Sequence, residues 1–205
     1  MNLITLLIIF ELIGVMAFAV SGALVGMKKE LDLFGVVFLS TITAVGGGIF
    51  RDILIGINPP TAFINPISSI LSMITGLIVF FSYKKIIRFN KEILISDALG
   101  LSVFTVVGCR TAIVNGADSV YVAVIMGLST GIGGGILRDV FVNDIPYVLK
   151  KEIYAIASII GALSYFYISR KVSEVVALYI CSAIVFIIRI LAIKFNISLP
   201  VGRNL

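Results

Sequence analysis

Long apolar runs alternate with short charged loops along the whole chain. The runs cover about residues 3–26, 33–50, 65–83, 98–114, 120–137, 153–168 and 175–193. About 20 helical residues cross the hydrocarbon core of a bilayer, so the pattern predicts seven transmembrane helices in a single membrane domain, 1–205, with no soluble domain. The first run is interrupted only by Glu11 and lacks a basic leader. It is also too long for a signal peptide, so it reads as the first span. Lys28, Lys29, Glu30 and Asp32 form the first loop, and Lys84, Lys85, Arg88, Lys91 and Glu92 form the most charged one. Asn58-Pro59-Pro60 is expected to end the second element, and Asn143-Asp144-Ile145-Pro146 the fifth.

One seven-residue stretch occurs twice. Gly46-Gly47-Gly48-Ile49-Phe50-Arg51-Asp52 returns as Gly133-Gly134-Gly135-Ile136-Leu137-Arg138-Asp139, 87 residues later. Pro59 falls on Pro146 at the same offset. An offset of 86 puts Glu11 on Asp97, Gly14 on Gly100, Phe18 on Phe104 and Gly22 on Gly108. Further on, Gly76 falls on Gly161, and Lys84-Lys85 on Arg170-Lys171. The expected units are 1–86 and 87–171, followed by an unpaired span and tail, 172–205. Three spans per unit is an odd number, so the second unit enters the membrane from the opposite side. The result is an inverted repeat, with the pathway at the repeat interface and helix breaks in corresponding positions. The expected fold is therefore an all-α integral membrane protein of three plus three plus one helices, with helices two and five broken at the glycine runs.

Composition removes other classes. Hydrophobic residues make up 60% of the chain and charged ones 13%, whereas a soluble domain carries about 25% charged residues. With no histidine, no tryptophan and two cysteines, neither a metal cluster nor a histidine-based catalytic set can be built. No enzyme activity, resident metal or cofactor is expected. Cys109 and Cys181 lie in apolar runs and act as small hydrophobes. The net charge of +5 does not indicate nucleic acid, because the cations sit in loops beside spans. One face receives Lys28, Lys29, Lys84, Lys85, Arg88, Lys91, Lys150, Lys151, Lys194 and Arg203, and the other only Arg170 and Lys171. That bias puts the N-terminus outside and the C-terminus in the cytoplasm of a cell-membrane protein. Lys84, Lys85, Arg88 and Lys91 determine topology, with binding of anionic lipid as their second reading.

Breaks at Gly46, Gly47, Gly48 and at Gly133, Gly134, Gly135 would free backbone carbonyls able to hold a partly dehydrated monovalent cation. Thr43 and Thr130, three residues upstream, could add hydroxyl oxygens. Arg51 and Asp52 are sequence neighbours pointing to different sides of a helix. The duplication therefore suggests crossed pairing, Arg51 with Asp139 and Arg138 with Asp52. Two alternatives stand beside this: glycines as helix-packing surfaces, as Gly22-x-x-x-Gly26 would be, and arginines that snorkel to the interface, Arg189 above all. The glycine run lacks the Lys-Ser/Thr of a phosphate-binding loop. An intramembrane aspartyl protease is disfavoured, because each aspartate has an arginine beside it.

At these residues the chain resembles the trimeric intracellular cation channel family in its prokaryotic branch. The two Gly-Gly-Gly-Ile-x-Arg-Asp segments, the proline after each, the inverted repeat and the seventh span carry the resemblance. It implies a homotrimer in the membrane, each protomer with its own pore, permeable to K+ and less selectively to Na+. It also implies that spans two and five line that pore. Gly46, Gly47, Gly48, Gly133, Gly134 and Gly135 would then be hinge and constriction positions, with Arg51, Asp52, Arg138 and Asp139 as charges of the pathway. The basic lipid-binding motif of animal members has no clear match here. Bacterial members have also been labelled as glycine transporters, so a carrier of a small solute such as an amino acid is the alternative.

Overall fold

In a computed structural model that describes residues 3–82, 89–116, 119–150 and 153–197, the described residues fold into nine α-helices and no strands. These are α1 (Leu3–Lys28), α2 (Leu33–Leu54), α3 (Thr61–Ile64), α4 (Ile67–Ser82), α5 (Phe89–Val114), α6 (Val120–Phe141), α7 (Tyr147–Lys150), α8 (Ile153–Ile168) and α9 (Glu174–Phe195). Five of them, α1, α2, α5, α6 and α9, are long and apolar enough to cross a membrane. The other two spans, α4 and α8, have 16 residues each, and each follows a four-residue helical turn, α3 or α7. At 1.5 Å per residue a 16-residue helix rises only about 24 Å. The sixth span coincides with the run 153–168, the third begins two residues inside the run 65–83, and each is preceded by its helical turn.

Two boundaries differ from the sequence reading. Lys91 and Glu92 are not loop residues but belong to the first turns of α5. Lys91 is exposed there, while Lys84, Lys85 and Arg88 lie outside the described residues. Neither proline ends a long helix. Instead Gly56 and Asn143, at φ 79° and 56°, turn the chain into the left-handed region just past α2 and α6. Ile57 N–H then donates to the Asp52 carbonyl and Asp144 N–H to the Asp139 carbonyl, at 2.8 and 2.9 Å. Both helices therefore close with the same C-terminal motif, in which glycine or asparagine takes the left-handed position.

The two units, α1–α4 and α5–α8, meet along α1 and α5. Phe18 stacks on Phe104 with ring centroids 5.4 Å apart. A side chain at Gly100 would strike Phe18, and one at Gly14 would strike Phe104 and Val103. Each phenylalanine occupies the space left by the other unit's glycine, so the exchange is reciprocal across the pseudo-two-fold. α9 closes the outside of the second unit, with Val185 seated on Gly161.

Packing also corrects the register late in the repeat. Gly76 of α4 faces Ser40 of α2, and it is Ala162 of α8, not Gly161, that faces Gly127 of α6. Likewise Pro60, not Pro59, stands immediately before α3 as Pro146 stands before α7. The first unit simply has one more residue in the loop after its motif, and from there on the offset is 86.

A wide apolar surface that includes Phe34, Phe50, Ile53, Phe81 and Phe141 is exposed, as befits helices that lie in a bilayer. On the side of the first loop, Lys29 Nζ meets Asp144 at 2.8 Å. This bond holds the Asp144 carboxyl below its ordinary value. A depressed folded pKa means the pair stabilises fully above the unfolded value of about 3.9, and the contribution is lost as the pH falls through the folded value. Both groups are well exposed, so Lys29→Ala should cost less than about 1 kcal/mol at pH 7. Thermal unfolding of the wild type and Lys29→Ala should show a small difference at pH 7 that shrinks as the pH is lowered to 3.

Candidate functional site

The helix does not break at either glycine run: α2 and α6 continue through Gly46–Gly48 and Gly133–Gly135 in α-helical form. The expectation of broken helices fails because the absent side chains serve contact between α2 and α6. A Cβ on Gly47 would fall closer than 3.0 Å to the Thr130 carbonyl oxygen, and one on Gly134 equally close to the Thr43 carbonyl oxygen. Backbone therefore meets backbone at a symmetric crossing, the packing use of glycine in membrane helices. Gly46 makes room for Leu137, and Gly133 lies against the Gly47 Cα. Only the third glycine of each run faces the charged residues: Gly48 has Arg51 Nη2 beyond it at 3.8 Å, and Gly135 has the Tyr154 hydroxyl at 3.2 Å.

Thr43 and Thr130 do not present free hydroxyls. Thr43 Oγ1 donates to the Leu39 carbonyl at 2.5 Å and Thr130 Oγ1 to the Met126 carbonyl at 2.6 Å. Both side chains are buried against Gly22 of α1 and Gly108 of α5 respectively. The Gly22–Gly108 match of the repeat thus reads as a second symmetric pair of close helix contacts.

The crossed ion pairs are also absent among the described residues. Arg51 Nε and Nη2 donate to Asp52 Oδ1 at 2.9 and 2.7 Å, and Arg138 Nε donates to Asp139 Oδ1 at 2.8 Å. Adjacent residues can pair because the long guanidinium folds back across the helix surface to its neighbour. The second carboxylate oxygen explains why the partner is local. Asp52 Oδ2 accepts the Thr61 N–H, and Asp139 Oδ2 accepts the Tyr147 N–H, both at 2.7 Å. Each aspartate therefore ties the end of its long helix to the first residue of the following turn, where the backbone donor has no helical partner. Arginine neutralises the carboxylate that makes this tie.

Beyond that shared core the two sites differ. Arg51 borders a cavity of about 150 Å³ whose walls include Glu11, Gly48, Asp52, Asn65 and Ser68. Its counterpart is filled. Arg138 Nη1 donates to Asp97 Oδ1 and to Ser21 Oγ, both at 2.5 Å, tying α6 to α5 and α1. Tyr154, fully buried, occupies the space that Ser68 leaves open in the first unit. Sequence matching had paired Glu11 with Asp97, but gave no sign that only Asp97 would bond its arginine. Tyr154 and Ser21 were missed altogether: a tyrosine and a serine in apolar runs carry no signal of their own.

Arg189 does not snorkel. Only 2% exposed, it lies with its guanidinium carbon 4.6 Å from the Tyr154 ring centre and 5.8 Å from that of Tyr147. Its Nε and Nη2 have no hydrogen-bond partner among the described residues. Two aromatic faces stabilise the buried charge in place of water.

Comparison with known proteins agrees with this architecture. A family model described as "Glycine transporter" matches the chain twice, at residues 8–84 and 94–170. A "UPF0126 inner membrane protein" of Escherichia coli is 36% identical over 193 residues, 93% of both chains. The trimeric intracellular cation (TRIC) channel orthologue from Rhodobacter sphaeroides superposes with a TM-score of 0.89 at 32% identity, over 94% of this chain and 100% of that one. A structure solved to explain conductance through TRIC cation channels superposes with a TM-score of 0.87 at 38% identity, over 96% and 97%. The chain is a multi-pass membrane protein and belongs to the family of the prokaryotic TRIC channels and UPF0126 membrane proteins, the family whose model carries the description "Glycine transporter".

Proposed function

We propose that the protein is a monovalent cation channel, permeable to K+ and Na+, that assembles as a homotrimer with one pathway in each protomer. The observation that carries this reading is the pair of buried Arg–Asp sites at equivalent ends of α2 and α6, one of them opening on a cavity that Glu11, Asn65 and Ser68 also line. Residues that carry charge at membrane depth mark pathways far more often than scaffolding, and the solved relatives are cation channels. In this reading the pathway passes Arg51 and Asp52 in one half and Arg138 and Asp139 in the other. Between them α2 and α6 cross at Gly47 and Gly134, which with Gly46 and Gly133 set how closely the helices approach, while Gly48 and Gly135 face the charged groups.

Thr43 and Thr130 act by holding that crossing rather than by coordinating an ion. With the N-terminus outside and the C-terminus in the cytoplasm, the open cavity faces outward and the filled site inward, so the conformation described is shut at its inner end. Ties from Asp139 to α7 and from Arg138 to Asp97 hold it shut. Lys84, Lys85, Arg88 and Lys91 orient the chain and draw anionic lipid to the cytoplasmic surface. The protein has no catalytic role and needs no cofactor.

Purified protein in planar bilayers should give unitary current steps whose reversal potential under a KCl gradient lies on the cation side of zero. The family description keeps one rival in view, a carrier of glycine. Saturable uptake of labelled glycine into proteoliposomes, without steps in the bilayer, would establish the carrier and remove the channel.

A further inference from the structure

Counting the charges that face each half of the pathway exposes a difference the repeat does not predict. In the first half Glu11 and Asp52 face Arg51, which leaves one negative charge in excess. Arg110 does not make up the balance, because it is bonded to Glu174 at 2.5 Å. In the second half Asp97 and Asp139 face Arg138, which leaves the same excess. There, however, a second cation stands behind Tyr154. A Cβ on Gly135 would lie 3.2 Å from the Tyr154 hydroxyl, 3.7 Å from Asp97 Oδ1 and 3.8 Å from Arg138 Nη2. Over the ring of the same tyrosine lies the Arg189 guanidinium, its carbon 4.6 Å from the ring centre. Arg189 comes from α9, the helix without a repeat mate, so the first half has nothing to match it.

We propose that Arg189 and Tyr154 form a tethered cationic plug in the second half of the pathway, holding the place that a permeating cation takes when the channel conducts; this rests on the channel reading above. The seventh helix is then not an accessory to the repeat but the part that makes a symmetric pathway electrically one-sided. Neutralising the second half with a fixed guanidinium removes the field that would draw a mobile cation into it. Tyr154 fills the volume such an ion would need, where Ser68 leaves it free. A cavity of about 40 Å³ bounded by Leu94, Tyr147, Arg189 and Asn196 lies beside the arginine and gives its side chain room to shift. Among the described residues the guanidinium Nε and Nη2 have no hydrogen-bond partner, so the ring faces of Tyr154 and Tyr147 supply much of what holds it.

Single-channel recording in planar bilayers under a KCl gradient tests this with three variants. Arg189→Gln should raise unitary conductance several-fold and move the reversal potential towards the K+ equilibrium value, because a fixed cation has left the pathway. Arg189→Lys keeps the charge and should keep the wild-type reversal potential. A purely structural arginine would show no such split between the two. Ser68→Tyr, which gives the first half the residue of the second, should lower conductance with the reversal potential unchanged. If Arg189→Gln elutes like the wild type from a sizing column yet conducts and reverses as the wild type does, the plug is excluded. Should Arg189→Gln fail to assemble, Tyr154→Ser decides instead: raised conductance supports the plug and unchanged conductance excludes it. A protein that gives no current as the wild type and none as Arg189→Gln or Tyr154→Ser would instead refute the channel reading, which keeps the two failures apart.

Discussion

Gly134→Ala should destabilise the protein severely, whereas Gly48→Ala should be nearly silent, although both add one methyl group to the same repeated motif. At Gly134 the new carbon would lie inside the contact distance of the Thr43 carbonyl oxygen, and at Gly48 its nearest neighbour is the end of a flexible arginine, 3.8 Å away. A carbonyl in the middle of α2 cannot rotate aside without breaking its own helix, so α2 and α6 must separate. Overpacking costs about 1–3 kcal/mol where side chains can yield, and a backbone obstacle places Gly134→Ala at or above the top of that range. Gly47→Ala should behave like Gly134→Ala, since it meets the Thr130 carbonyl in the same way. Thermal unfolding of the purified variants in detergent measures the difference. Equal melting temperatures for Gly134→Ala and Gly48→Ala would show that the crossing adapts, and would remove the argument that the glycines are there for contact.

That contrast also shows what could be read from the sequence and what could not. The seven apolar runs, their order, the repeat and its three-plus-three-plus-one division were legible, because hydropathy reports burial in lipid directly and the motif announces its own duplication. The family was legible for the same reason. Less visible was the use to which each residue is put. Three glycines in a row look like a break because glycine is a poor helix former. Within a bilayer, however, an open backbone group is so costly that the helix persists and the glycines supply proximity instead. Arg51-Asp52 looked unable to pair because sequence spacing describes Cβ directions and not the reach of a guanidinium. The tie from each aspartate to the N–H of Thr61 or Tyr147 depends on a chain reversal that only the fold reveals. Arg189 was misread because its place near a helix end suggested the interface, while its burial depends on two tyrosines from another part of the chain.

Arg138→Met should be far more damaging than Arg51→Met, and the reason is the same asymmetry seen from the side of stability. Arg138 is 3% exposed and holds Asp97 and Asp139 at once, so its loss leaves two buried carboxylates without a bonded cation. Breaking a buried pair by removing one partner costs about 3–5 kcal/mol, and here two acids depend on one arginine. Among the described residues Arg51 bonds only Asp52, and the 150 Å³ cavity beside it can admit water and a counter-ion to the carboxylate left behind. Access to water lowers the cost of an unpaired charge, so Arg51→Met should stay below that range and leave a folded protein with altered conduction. Adding Asp97→Asn to Arg138→Met removes one orphaned charge and should restore part of the lost stability. The matching second change in the first unit, Glu11→Gln on Arg51→Met, should restore little. Melting temperatures of the two single and two double variants form a complete comparison. If both arginine variants lose the same stability and neither is rescued, the cavity does not solvate the first site, and the two halves are alike after all.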